Sequence, residues 1–166
     1  MAGDLIYAFR VMRLPLLDAG GATIGRLEDV VIVSGRTTSA PRVLGFVANS
    51  QRRRIFVNAN RVATLDNSGA RLRSWDVDFH PFKPKEGERL LKSHVIDKAV
   101  GDEVVSDVAL RAREDGKTPG WEVAKVRLAR RSTLRRRPTY RLVDWNAVPA
   151  LFAAATEAAA EAARLR

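Results

Sequence analysis

The sequence predicts a mainly β fold: two small β barrels in tandem, followed by a C-terminal α-helix, with one continuous barrel of about six to eight strands as the competing picture. Three observations predict it. The first is repetition. Residues 55–65 read Ile-Phe-Val-Asn-Ala-Asn-Arg-Val-Ala-Thr-Leu, and residues 141–151 read Arg-Leu-Val-Asp-Trp-Asn-Ala-Val-Pro-Ala-Leu. Val57, Asn58, Asn60, Val62 and Leu65 fall on Val143, Asp144, Asn146, Val148 and Leu151 at one constant spacing. Upstream, Glu28-Asp29-Val30-Val31-Ile32 falls on Ser106-Asp107-Val108-Ala109-Leu110, and Gly25 or Gly101 precedes each patch. Two copies, each long enough to close on itself, describe a duplicated domain rather than a solenoid. The second observation is a series of β-branched runs broken by turn residues. The third is the change after Pro149 to an alanine-rich segment of high helix propensity.

The elements follow in order. Residues 1–10 are a lead-in. Arg13 to Asp18 is a short strand, and Asp18-Ala19-Gly20-Gly21-Ala22 is a turn, because glycine supplies positive φ cheaply. Ile24 to Val33 is a β-branched strand in which Gly25 marks a bend. Arg42 to Asn49 and Arg54 to Asn58 form a hairpin around a tight polar turn. Asn58 to Val62 has the look of a capped helical turn, since an asparagine side chain accepts from a free N–H. Ala70 to Trp75 is a last short strand, and Asp76 to Lys85, with two prolines, is the linker. Gly87 to Asp97 is either a short helix or the first strand of the second unit. Val104 to Arg113, Trp121 to Ala129 and Thr139 to Asp144 repeat the strand and hairpin with a longer arginine-rich loop. The expected domains are therefore 8–85, 86–152 and a helical tail over 153–166. Val30, Leu44, Phe56 and Val62 are the expected core of the first unit, and Val108, Val123, Leu142 and Val148 that of the second.

Composition limits the function. The chain has 166 residues, no cysteine, and a net charge of +10 from 29 basic and 19 acidic residues. The missing cysteines remove disulfides, thiol catalysis and cysteine-based zinc sites, and fit a cytoplasmic protein. No apolar run approaches the ~20 residues of a membrane span, and the first fifteen residues lack the long apolar core of a signal peptide. The charge suits an anionic partner. It is also concentrated. No acid lies between Asp29 and Asp66, or between Glu122 and Asp144, and arginines crowd both windows.

No catalytic constellation is visible. His80 and His94 stand alone, Asp76 and Asp78 form only a weak cation pattern, and no glycine-rich loop has phosphate-cradle spacing. The chain is therefore expected to be no enzyme, with no cofactor, no metal and no small-molecule substrate. The sharpest local features are Arg52-Arg53-Arg54 and Arg135-Arg136-Arg137, each before the last strand of a hairpin. With Arg130 and Arg131 they are the candidate residues for binding an anion or a partner. Charged residues also discourage edge-to-edge pairing at an exposed tip, which is the plainer explanation. An RNA site would add exposed aromatics as stacking platforms. Phe56, Trp121, Tyr140 and Trp145 lie nearby, though Phe56 and Tyr140 occupy strand positions where burial is the commoner fate.

The segments Ile24-Gly25-Arg26-Leu27-Glu28-Asp29-Val30-Val31, Pro41-Arg42-Val43-Leu44-Gly45-Phe46-Val47 and Arg53-Arg54-Ile55-Phe56-Val57 resemble the PRC-barrel family. That family includes the cytoplasmic domain of the photosynthetic reaction-centre H subunit and a domain of the ribosome maturation factor RimM. Trp121 to Val126, the basic loop and Leu142-Val143-Asp144-Trp145 resemble the second of two such barrels in actinobacterial proteins related to the magnesium transporter MgtE. The resemblance spans roughly residues 8–152. It implies PRC-type barrels acting as a cytoplasmic adaptor or regulatory module, linked to magnesium transport and binding a protein. It carries no metal ligand to this chain, because the magnesium-sensing acids of that subgroup lie in domains with no counterpart here. RNA or the ribosome, in the manner of RimM, is the alternative partner, and an anionic membrane surface a further one.

Overall fold

The computed structural model describes residues 4–34, 39–113, 120–130 and 137–152. The chain is mainly β, and its strands join in one nearly closed, barrel-shaped sheet. In order, the elements are β1 (Leu5–Tyr7), a one-turn helix α1 (Ala8–Val11), β2 (Pro15–Leu17), β3 (Thr23–Val33), β4 (Arg42–Ser50) and β5 (Arg53–Asn58). Then come β6 (Val62–Asp66), β7 (Gly69–Leu72), β8 (Glu88–Leu90), β9 (Ala99–Val100), β10 (Glu103–Arg113), β11 (Gly120–Arg130) and β12 (Thr139–Asp144). The sheet runs β1-β10-β11-β4-β3-β2-β7-β6, with β5 on β4, β12 on β11, β8 on β3 and β9 on β10. Among the described residues, no helix is long and apolar enough to cross a membrane.

The two long hairpins carry the same irregularities. In β3–β4 the register slips between Leu27 and Asp29, and again between Val31 and Ile32. In β10–β11 it slips between Val105 and Asp107, and again between Ala109 and Leu110. These positions coincide under the sequence match that sets Asp29 on Asp107. A bulge takes a backbone group out of the ladder, and a buried carboxylate meets it in both places. Val30 N–H donates to Asp29 Oδ1 and Val108 N–H to Asp107 Oδ1, each at 2.8 Å. The second bulge has a packing effect. Val31 faces Gly45 and Ile32 faces Val43, so Leu44 is the extra residue and turns away from the main core. Ala124 holds the matching place in β11.

The short lead-in strands exchange partners across the two expected domains. β1 lies on β10, with Ile6 opposite Leu110, and β8 lies on β3, with Leu90 opposite Val31. The turn after each lead-in ends on the carboxylate of the strand that it reaches. Phe9 N–H donates to Asp107 Oδ1 at 3.2 Å. Lys92 N–H and Ser93 Oγ donate to Asp29 at 2.8 and 3.1 Å. Strand pairing therefore crosses the expected boundary between residues 85 and 86. The hairpins themselves meet where Arg42 pairs with Glu122 and Val123 N–H donates to Pro41 C=O at 2.8 Å. Phe46 and Trp121 touch edge-to-face across this seam, with centroids 6.1 Å apart. One apolar core runs through both hairpins.

Half of the expected core residues lie where expected: Val30, Val62, Val108 and Val123 are fully buried. The other half need correction. Leu44, Phe56 and Val148 are half-buried, and Leu142 is 41% exposed. Val148 lies beyond β12, after the turn Trp145–Ala147, and packs against the main core from its rim; for the other three the cause is register. In β5 it is Ile55 and Val57 that face the main core, so Phe56 lies on the opposite face. The Leu44 bulge reverses the alternation that places Leu44 with Phe46. The two glycines are not equivalents either. Gly25 sits inside β3, where a Cβ would strike Asn49 C=O, whereas Gly101 is a turn residue at φ +63°. Asn58 caps its helical turn as expected, accepting from Asn60 N–H at 3.0 Å. Pro149–Phe152 is a 3-10 turn that buries Leu151 and Phe152. The expected tail helix over 153–166 lies outside the described residues.

Candidate functional site

The face of each hairpin that points away from the main core is the natural place to look for a site, because the barrel interior is filled with side chains. The two faces are built from matching positions. Val47 opposes Phe56 in β4–β5, and Arg127 opposes Leu142 in β11–β12.

The first face is apolar and partly covered, with Leu44, Phe56 and Phe82 half-buried. Phe56 lies over Gly45, where any side chain would collide with its ring. Val31, Val47 and Leu90 form a small second core with Leu44, Phe56 and Phe82. Phe82 comes from the expected linker. The end of that segment meets the edge of β5 through one isolated bridge: Pro81 bridges Ile55, Phe56 N–H donates to His80 C=O at 3.1 Å, and Phe82 N–H donates to Arg54 C=O at 3.0 Å. Neither bond uses a Pro81 N–H, so proline fits at this sheet edge. Arginines hold the segment in place. The Arg61 guanidinium lies 4.1 Å from the Phe79 ring centroid and donates to Asp78 C=O at 2.9 Å and to Asp76 C=O. The Arg54 guanidinium is 5.7 Å from the Phe82 centroid and 3.3 Å from Glu28.

The second face is basic and open. Val126 and Leu128 point inward, so Lys125, Arg127 and Ala129 point out. The Arg127 guanidinium lies 4.6 Å from the Tyr140 ring centroid, and its Nε donates to Ser106 Oγ at 2.9 Å. Tyr140 is 55% exposed, which corrects the expectation of burial. Leu142 and Val104 are also exposed. On the other side of β12, Arg141 grips Glu103 with bonds of 2.7 to 3.1 Å. That contact holds the Glu103 carboxyl below its ordinary range. Among the described residues, β12 pairs with β11 only.

The candidate arginines divide between these faces. Arg52, with Gln51, makes the tight turn at positive φ, 65° and 53°, the geometry that matches hairpin twist. Arg53 and Arg54 alternate to opposite faces, so the first triplet is not one cluster, and Arg54 is already engaged. Arg130 pairs with Asp102 at 2.9 Å. Arg137 is exposed. Arg131, Arg135 and Arg136 lie outside the described residues. Sequence reasoning missed Arg127 and Arg141. The alternation of Val126 and Leu128 with Lys125 and Arg127 was the available signal for an outward Arg127; the register that brings Tyr140 beside it is seen only in the structure.

The buried acids serve the backbone. Burial raises Asp29 above its ordinary value, against the lowering pull of bonds from Lys92, Val30 and Ser93. Asp107 is raised for the same reason, opposed by bonds from Val108 and Phe9. His94 Nδ1 accepts from Leu90 N–H at 3.0 Å, and burial lowers its pKa. Asp76 Oδ1 accepts from Asp78 N–H at 3.0 Å. Among the described residues, no three His, Asp or Glu side chains gather as metal ligands would. No family model matches the chain, no curated protein is significantly similar to it, and no solved structure significantly matches its fold.

Proposed function

We propose that this chain is a non-catalytic cytoplasmic adaptor or regulatory module that binds a protein through the outer face of β11–β12. One observation carries the reading. The first hairpin has its outer face partly covered by the chain's own segment, whereas the matching face of the second leaves Tyr140 and Leu142 in water beside arginines. An aromatic and an apolar residue flanked by Arg is the composition enriched in protein interfaces. The duplicated PRC-type architecture belongs to the same proposal, supported by the matching bulges, buried aspartates and exchanged lead-ins of the two hairpins. A link to MgtE-type magnesium transport rests on sequence resemblance alone.

A photo-crosslinking residue placed at Tyr140 should capture one defined protein in the native host, and the same residue at Phe56 should not. Repeating the capture with and without magnesium tests the transport link. Crosslinks from position 140 that are absent, or no stronger than those from position 56, would sink the reading. A second reading, an RNA- or ribosome-associated factor, is favoured by the Arg127–Tyr140 stack, a ready platform for a base. It predicts binding that falls steeply with salt, because phosphate contacts release counterions.

A further inference from the structure

We infer that the free edge of β12 receives an extended, acidic, aromatic-bearing peptide of a partner protein, added as one more strand of the sheet. This rests on the binding reading above and names the class of partner. The chain supplies its own template. At β5 the edge is taken up by His80-Pro81-Phe82 through one bridge and two backbone bonds, and the acidic, aromatic stretch Asp76-Val77-Asp78-Phe79 that leads into it is held by Arg61. The register of β11–β12 matches that of β4–β5 residue for residue, so Tyr140, Leu142 and Arg141 occupy the places of Arg54, Phe56 and Ile55. The Leu142 N–H and Tyr140 C=O therefore point away from β11, as the Phe56 N–H and Arg54 C=O point away from β4. Among the described residues, no strand takes them up. An unpaired edge of this kind is a template for strand addition, with backbone bonds giving affinity and side chains on one face giving selectivity.

The chemistry of the occupant follows from the surroundings. A residue in the place of Phe82 would lie on Tyr140 and Leu142, which asks for an aromatic or large apolar side chain. Arg127 stands beside that position and Arg137 is exposed at the end of the strand, which asks for carboxylates. The chain's net charge of +10 favours an acidic partner in the same direction.

The test uses the full chain and a labelled, end-capped peptide Asp-Val-Asp-Phe-His-Pro-Phe. Binding should shift the backbone amides of β12, Leu142 among them, and leave Phe56 unmoved. Replacing both peptide aspartates with lysine should weaken binding at least ~10-fold. Leu142→Pro deletes the outward donor at a place where an edge strand tolerates proline. It should weaken binding at least ~10-fold, the scale of a lost backbone bond with its partner left unpaired. If that variant fails to fold, Tyr140→Ala/Leu142→Ala, which touches only exposed side chains, should give the same loss. Four results would overturn the inference: no binding at ~1 mM peptide, shifts on β5 in place of β12, self-association of the chain through β12, or tighter binding of an RNA oligonucleotide to the same amides. If crosslinking from Tyr140 succeeds while the peptide fails, strand addition alone is overturned and the adaptor reading stands.

Discussion

The two hairpins share bulges, registers and buried aspartates, and differ in what lies on their outer faces. In the first, Gly45 clears room for the Phe56 ring, which packs in a small cluster with Phe82. In the second, the matching positions are Lys125 and Leu142. Lys125 reaches Asp144 at 3.1 Å, and Leu142 stays in water. The backbone device is kept while the outer surface changes from one partly covered by the chain's own segment to one that no strand covers among the described residues. The lesson is that one scaffold carries two surfaces: one hairpin is partly covered by its own chain, and the other leaves Tyr140 and Leu142 exposed among the described residues.

The largest expected effect tests the shared interior. Phe46 is fully buried against Trp121 at the seam between the hairpins. Phe46→Ala should cost about 3–5 kcal/mol, the range for deleting a buried aromatic ring. Denaturant unfolding should still show one transition. Two separated transitions would mean that the hairpins are held together less tightly than the common core implies.

Next in size is the comparison of the aspartates. Asp29 accepts from Val30 N–H, Lys92 N–H and Ser93 Oγ, and Asp107 from Val108 N–H and Phe9 N–H. Asp29→Ala should cost about 1–3 kcal/mol through the donors left unpaired, and Asp107→Ala should cost less. A reversed order in unfolding midpoints would break the proposed ranking of the two lead-in contacts.

The outer faces come third. Phe56→Ala should cost about 1–2 kcal/mol, because about half of a large apolar side chain returns to water. Leu142→Ala should stay within about 0.5 kcal/mol. Equal costs in thermal or chemical unfolding would erase the contrast between the partly covered and the exposed face.

The smallest effect is a slope. Asp29 and Asp107 are raised above 3.8 by burial. The folded state therefore holds their protons more readily than the unfolded one. Each subtracts stability as pH rises from the unfolded value through the raised folded value. Glu103 acts in the opposite sense. Arg141 lowers it, so its contribution is present above 4.5 and is lost as pH falls through the lowered value. Asp29→Asn keeps an acceptor for Val30 and Lys92 but removes the titration. Its stability should therefore change less than that of the wild type as pH rises from the unfolded value through the raised folded value. An unchanged slope in urea midpoints would place the pH dependence elsewhere.

Much of the fold was legible because it is written in local pattern. β-Branched runs, turn residues and the cap at Asn58 mark their own positions. The repeat aligned Asp29 with Asp107 and Val57 with Val143, and the observed registers pair them in the same way. Leu44, Phe56 and Leu142 were misplaced for a definite reason. At Leu44 a bulge shifts alternation by one residue and nothing in the residue announces it, whereas β5 and β12 run without a bulge and turn Ile55 and Val57, or Val143, to the main core in place of Phe56 and Leu142. The exchange of β1 and β8 was invisible because three-residue strands carry no period to read. The site was legible as charge only. Strand alternation splits Arg53 from Arg54, and the exposed Arg127–Tyr140 pair depends on two strands whose register the sequence does not state.

The exchanged lead-ins also govern how the chain is made. β1 must wait for β10, more than ninety residues later in synthesis, and β3 stays without its edge partner until β8 has emerged. Contacts so distant along the chain slow the search for the native state, because loop closure comes before their reward. A nascent chain that ends near residue 85 therefore presents an open edge on β3 and a β1 strand with nothing to join. The same interleaving protects the finished molecule, since neither half can open without stripping a strand from the other.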